Sequence, residues 1–254
     1  IDEARVEAEQ ILSQQLAATD RLKIFIPGNH DWGLDPAEQN LTAIMNQQTF
    51  IDNWHDGQAS FLPRDGCIGP AIVELGGGSA KVVLLLLDPT PFLTPRLRDQ
   101  CENNVDDATH FSMLESLLEQ YADDHVIVAS HYPLLTGGPH GGLPYPFPIN
   151  LIAGAYGLML GGLGNTYEPP YAAWIEKVEA VMRKHPPLVY AAGHDHSLQV
   201  LKGGDVASVQ VVSGAGAPER VSTVTHIPET LYAHAAAGFV VLDFGSYEGE
   251  TVAV

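Results

Sequence analysis

Three apolar runs of strand length each stop at a polar turn that carries histidine. They are FIPGNHD at 25–31, VIVASHYP at 126–133 and VYAAGHDH at 189–196. Continuous Val/Ile/Leu runs are what strands buried inside an α/β sheet require. Loops that leave the carboxyl ends of such strands converge, and ligands collect there. Three matching endings can therefore bring Asn29, His30, Asp31, His131, His194 and His196 to one point. Each ending alone has a bland reading, since Gly, Asn and Asp suit turns and a lone histidine is more often packed than functional. The repetition argues for a site. Imidazole nitrogens and an amide oxygen suit Zn, Fe or Mn. Gly28 and Gly193 allow sharp turns and close backbone approach.

The rest of the chain alternates in the same style. Residues 2–18 and 36–50 read as helices, as do 108–122 and 171–184. AIVEL (71–75) and KVVLLLLD (81–88) read as a strand pair around a Gly-rich turn. VASVQVVSGAG (206–216), FVVLDF (239–244) and the final ETVAV read as a β-rich end. Residues 133–170 are dense in Gly and Pro and hold no lasting period, which suits a functional loop more than a disordered one. There is no repeat and no linker. One mixed α and β unit over 1–254 is the simplest organisation.

Charge narrows the function classes. The chain carries 31 Asp and Glu against 12 Lys and Arg, a formal net charge of −19. Such a surface repels nucleic acid. A phosphate-bearing substrate needs local positive charge, which a bound cation can supply. No run approaches a membrane span. The chain opens on Ile1 without Met, so an upstream segment is expected to have been removed. Cys67 and Cys101 lie in turn-rich segments. They are either reduced and inert or joined in a disulfide, which would place the protein in an oxidising compartment.

Together these blocks resemble the calcineurin-like metallophosphoesterase superfamily, through Gly28-Asn29-His30-Asp31, His131 in SHYP, and Gly193-His194-Asp195-His196. A weaker likeness points to bacterial exported members, through FIPGNHDW, a GC-x-GP turn, HYP…HGG and GHDHSLQ. The resemblance implies an α/β fold, a four-layer αββα sandwich, here without its N-terminal βαβ segment. It implies hydrolysis of a phosphate ester by a metal-bound hydroxide at a centre of two divalent or mixed-valence ions, Mn, Zn or Fe. Asn29, His131 and His194 would hold one ion and His196 the other. His30 would contact the phosphate and assist the leaving group, with Asp31 holding its ring and favouring its protonated form. His140 in PHGG would reach the substrate or sit as a loop histidine. Asp88 suits a structural role near the cleft, and VSGAG a turn bordering it. The remaining histidines, at 55, 110, 125, 185, 226 and 234, carry no motif.

No Asp-x-His precedes Asn29 and no Gly-Asp-x-x-Asp lies upstream of it, so the superfamily's first two blocks, which supply the bridging carboxylate, are missing here. The expected partner is a small phosphorylated substrate, and the expected location is exported, periplasmic or cell-surface, with cytoplasmic as the alternative. Two other function classes stay open. One is a degenerate, non-catalytic binding module. The other is a mononuclear metal hydrolase of another fold.

Overall fold

Along the run VVLLLL, side chains alternate between two faces of a sheet. Val83, Leu85 and Leu87 point into the main core, and Val82 and Leu84 point to the opposite face. The computed structural model describes residues 3–33, 39–54, 57–76, 81–102, 105–141, 164–247 and 250–253. In chain order the elements are α1 (Glu3–Ala17), β1 (Lys23–Phe25), α2 (Leu41–Asp52), β2 (Ala59–Phe61), β3 (Ala71–Leu75) and β4 (Val82–Leu87). Two short helices follow, α3 (Thr90–Leu93) and α4 (Pro95–Arg98), then α5 (Asp107–Gln120), β5 (His125–Ser130), α6 (Pro169–Met182) and β6 (Val189–Ala192). The chain closes with β7 (Leu198–Lys202), β8 (Val209–Ser213), β9 (Thr230–His234), β10 (Phe244–Tyr247) and β11 (Glu250–Ala253).

The protein is mixed α/β with one large sheet of seven strands, ordered β3-β4-β5-β6-β8-β7-β9. The four central strands, β4, β5, β6 and β8, run parallel. β3, β7 and β9 are antiparallel to their neighbours. The parallel centre decides where chemistry can sit. The loops after Leu87, Ser130, Ala192 and Ser213 all leave from one edge of the sheet. Two smaller ribbons accompany it, β1 parallel to β2 and the hairpin β10–β11.

One face of the sheet is covered by α5 and α6. Phe111, Leu114 and Leu118 from the first meet Tyr171, Trp174, Val178 and Met182 from the second over β4, β5 and β6. Both helices start for local reasons. Asp106 caps α5 by accepting the Thr109 N–H (2.7 Å), and Pro169 and Pro170 open α6. Among the described residues the opposite face, around Ile127, Val189 and Val211, is met by an extended strap at 239–243 and by Phe244 of β10. The strap's Val240 and Leu242 pack inward while Phe239 and Val241 point outward, 79% and 65% exposed. A second cluster, Leu16, Trp32, Ile44, Ile51, Phe61 and Leu97, joins α1, α2 and α4 to the β1–β2 ribbon.

The sequence expectations hold for the long helices and the apolar strands, with local changes. The second helix begins at Leu41, where the Asn40 side chain accepts the Ala43 N–H; positions 36–38 lie outside the described residues. FVVLDF is not a strand except at Phe244, since 239–243 form the strap instead. The centre of the Gly/Pro-rich stretch, 142–163, and most of the Gly-rich turn, 77–80, also lie outside the described residues. The structure joins Cys67 to Cys101 in a disulfide across 34 residues. It ties the Arg64–Gly66 turn to the end of α4. Among the described residues no helix is long and apolar enough to cross a membrane.

Closing a loop of this length constrains the unfolded chain, so replacing both cysteines by Ser should cost about 2–4 kcal/mol. Denaturant unfolding of the oxidised protein and the double variant measures this. Equal midpoints would assign the bond no stabilising role.

Candidate metal centre

The turn at 29–32 is one turn of 3-10 helix, and the Asp31 side chain shapes it. Asp31 Oδ2 accepts the Gly28 N–H at 2.7 Å, which closes the turn on itself. Trp32 then drives into the second core, and its Nε1–H donates to Asp88 Oδ2 at 2.8 Å. Asp88 ends β4 and also accepts the Thr90 N–H at 2.9 Å. The turn that carries Asn29 and His30 is thereby pinned to the carboxyl end of a central strand. Gly28 is required by contact: a Cβ there would stand 2.7 Å from His131 Nδ1.

His131 follows β5 directly. Two buried tyrosines fix the segment after it, Tyr190 donating to the Tyr132 carbonyl (2.8 Å) and Tyr171 to the Pro133 carbonyl (2.5 Å). The Gly193 N–H donates to the His131 carbonyl at 3.0 Å and aligns the ends of β5 and β6. His194 then adopts a left-handed backbone with φ 64°. For a residue other than glycine this costs on the order of 1–3 kcal/mol and gathers at functional sites.

The strained backbone aims the ring. His194 Nε2 lies 2.7 Å from the Gly164 carbonyl, so that nitrogen carries the proton and Nδ1 keeps its lone pair. Nδ1 faces His131 Nε2 at 3.0 Å, and His131 Nε2 lies 2.9 Å from Asn29 Oδ1. Asn29, His131 and His194 therefore meet. Burial, and then the neighbouring histidines, pushes the His131 imidazole down to about 3. Burial likewise holds His194 well below the ordinary histidine range. Both rings are neutral, the state a metal requires.

The spacing permits one cation. Two ligands about 2.1 Å from an ion and at right angles stand about 3 Å apart, close to the two separations observed. The backbone carbonyl on the far nitrogen of His194 is the support that metal-binding imidazoles use. The donor set is nevertheless small and uncharged. Among the described residues no group of three or more His, Cys, Asp or Glu side chains is disposed to hold a metal. Three nearby carboxylates are engaged elsewhere: Asp31 with Gly28, Asp88 with Trp32 and Thr90, and Asp195 with Thr136 (2.5 Å) and the His140 N–H (3.2 Å). The residues fit one cation held by neutral ligands. They offer no carboxylate bridge to a second.

The other expected residues border this trio. His140 stacks on His194 with ring centroids 4.1 Å apart, and its Nδ1 is buried without a hydrogen-bond partner. His196 is not hydrogen-bonded to the trio; its Nδ1–H donates to the Arg220 carbonyl at 2.8 Å. The Asp31 carboxylate serves the Gly28 amide, not the His30 ring. Burial and then the Arg220 guanidinium lower the His30 imidazole, with Asp31 opposing, so it is held toward its neutral form. Sequence reasoning missed Arg220, which sits on a one-turn helix with no motif around it. It also missed Thr136 and Gln199. Gln199 accepts the Gly137 N–H (2.8 Å) and donates to Thr136 Oγ1 (2.9 Å), fixing the loop that carries His140.

No family model matches the chain, and no curated protein matches it in sequence. Several solved structures are similar in shape. One is GAP50, the anchor in the inner membrane complex of Plasmodium, 14% identical over 78% of this chain and 53% of that one, with TM-score 0.45. Another is a dimetal phosphatase from Danio rerio, 15% identical over 56% of this chain and 48% of that one, with TM-score 0.32. A third, from Staphylococcus aureus, is provisionally assigned as a 5′-nucleotidase, 14% identical over 86% of this chain and 38% of that one, with TM-score 0.40. The chain spans about half or less of the length of these structures.

Two outcomes follow from the site's packing. Gly28→Ala keeps an allowed backbone (φ −107°) but drives its methyl against the His131 ring; a loss of about 1–3 kcal/mol is expected, with a displaced His131 signal in imidazole NMR. An unmoved signal would show that the ring yields freely. Burial raises Asp88 to about 7. Unfolded, it titrates near 3.9, so between these values the folded state holds the extra proton. Its stabilising contribution is complete below the unfolded value and is lost as pH rises toward about 7. Unfolding free energy against pH should fall across that window, and Asp88→Asn should remove that part of the slope.

Proposed function

We propose that the protein is a metal-dependent phosphoesterase whose metal-binding half-site is Asn29, His131 and His194. The observation that carries this reading is the meeting of Asn29 Oδ1, His131 Nε2 and His194 Nδ1 at 2.9 and 3.0 Å. They come from three sequence-distant strand endings, and both rings are neutral. The likeness of GNHD, SHYP and GHDH to metallophosphoesterase blocks supports it.

A cation at the trio would supply Lewis-acid charge to the phosphoryl oxygens and acidify the attacking water. The chain's own residues do the rest. Burial keeps both rings neutral. His194 presents the Nδ1 lone pair because its Nε2–H is taken by the Gly164 carbonyl, and His131 would present Nε2 in the tautomer protonated at Nδ1. Asn29 adds a neutral oxygen. His30 stands at the solvent side, 3-10 turn and all pinned through Trp32, placed to exchange a proton with the departing oxygen. His140 closes the flank beside His194. A second ion near His196 would need carboxylate donors in addition to these residues. The disulfide supports an exported protein, since such bonds persist in oxidising compartments.

The test is direct. Metal-stripped protein is titrated with Mn²⁺ or Zn²⁺ by calorimetry and assayed on a chromogenic phosphomonoester. One strong site and metal-dependent turnover are expected, with His131→Ala and Asn29→Ala each lowering kcat/KM at least about 100-fold. Binding without turnover across metals and pH would make the chain a binding module. Absence of binding would remove the metal centre altogether.

A further inference from the structure

The loop that leaves β8 is fastened to the GHDH turn. The Gly214 N–H donates to the Ser197 carbonyl (3.2 Å), the His196 Nδ1–H to the Arg220 carbonyl (2.8 Å), and the Ser222 N–H to the His196 carbonyl (2.9 Å). Gly214 lies so close to the Asp195 carbonyl that no Cβ fits between them. Pro218 opens a single 3-10 turn that ends at Arg220. The Arg220 backbone is thereby fixed beside His196, while its side chain is exposed.

Arg220 shares with Arg21 and Lys202 a side chain that sits in no ion pair among the described residues. Arg64, Lys81, Arg98, Lys177, Arg183 and Lys184 all sit in ion pairs with carboxylates. Among the described residues Arg220 has no such pair, although acidic groups outnumber basic ones 31 to 12. It is also the cation whose charge is felt at His30. A guanidinium outside the ion pairs, on a backbone fastened to His196 and with its charge felt at His30, is a local centre of positive charge beside the histidines. Its planar fork matches two oxygens of a phosphoryl group.

We infer that Arg220 grips the outer oxygens of the substrate phosphoryl group and makes the site select phosphomonoesters over diesters. This inference rests on the phosphoesterase reading above. A monoester presents three non-bridging oxygens and, above its second ionisation, two negative charges. With one oxygen turned to the histidines, a pair remains for the fork. A diester has two non-bridging oxygens and one charge, so no such pair remains.

The experiment compares wild type, Arg220→Gln and Arg220→Lys in the metal-loaded protein. Kinetics are measured on 4-nitrophenyl phosphate and bis(4-nitrophenyl) phosphate, and inorganic phosphate binding by calorimetry. A charge-assisted contact of about 1.5–3 kcal/mol corresponds to roughly tenfold or more. Arg220→Gln should raise the monoester KM and the phosphate Kd by that factor, with the diester KM and the melting temperature unchanged. Arg220→Lys should recover only part, because it keeps charge but not the fork. Equal losses on both esters, full rescue by Lys, or unchanged phosphate affinity would each overturn the assignment. Should wild type hydrolyse neither ester, the phosphoesterase reading falls, and the phosphate titration still judges Arg220 by itself: a weakened Gln variant upholds the contact, and equal affinity rejects it.

Discussion

The left-handed backbone at His194 is the constraint on which the site's geometry depends. At φ 64° the chain reverses within three residues and sends three side chains in three directions. His194 turns to His131 and the Gly164 carbonyl. Asp195 turns inward, where Thr136 and the His140 N–H fasten the neighbouring loop to it. His196 turns outward to the Arg220 carbonyl. A relaxed backbone would rotate all three together. The conformation persists because the hydrogen bonds around it are buried, and breaking them would leave polar groups unpaired.

The fold was legible where one physical effect dominated. Apolar runs marked β4, β5 and β6, because burial within a parallel sheet demands such runs. α5 and α6 showed the helical period of Phe111, Leu114 and Leu118, and of Trp174, Val178 and Val181. β7 was not legible, because its buried Gln199 breaks the alternation expected of a strand. That residue is polar inside for a local reason, the free amide of Gly137. β2 and β9 were missed because one is three residues long and the other faces largely outward. The strap at 239–243 looked like a strand in composition, yet it meets the sheet through side chains and not through a ladder.

The site was legible to the extent that its residues sit directly after strands. His131 and His194 follow β5 and β6 closely, and the parallel order of the sheet brings them together. Asn29, by contrast, lies beyond β1 in the separate ribbon and is brought in through the Trp32–Asp88 hydrogen bond. The disulfide was legible as one of two readings of a pair of cysteines in turns, and the structure takes that reading. What escaped was the support around the trio: the Tyr171 and Tyr190 hydroxyls, Thr136, Gln199 and the Gly164 carbonyl. These act through hydrogen bonds between residues 30 to 63 positions apart, and no spacing in the sequence encodes such a meeting. Asp31 has two claimants: its Oδ2 accepts the Gly28 N–H in the tight turn, and its charge still raises the neighbouring His30 imidazole.

The strap across the open face of the sheet has its own consequence. Phe239, Val240, Val241 and Leu242 are apolar in succession, so either pair of alternating side chains would satisfy the groove. Frame is chosen instead by polar contacts at its start, the Gly238 N–H donating to the Ala215 carbonyl at 3.0 Å and the Val240 N–H to Ser213 Oγ at 3.0 Å. Period-two segments of this kind are the ones prone to slide by one place. The seam is thus a degenerate lock pinned at one end, and its amide protons beyond Val240 should exchange with solvent long before those of the helices on the far side.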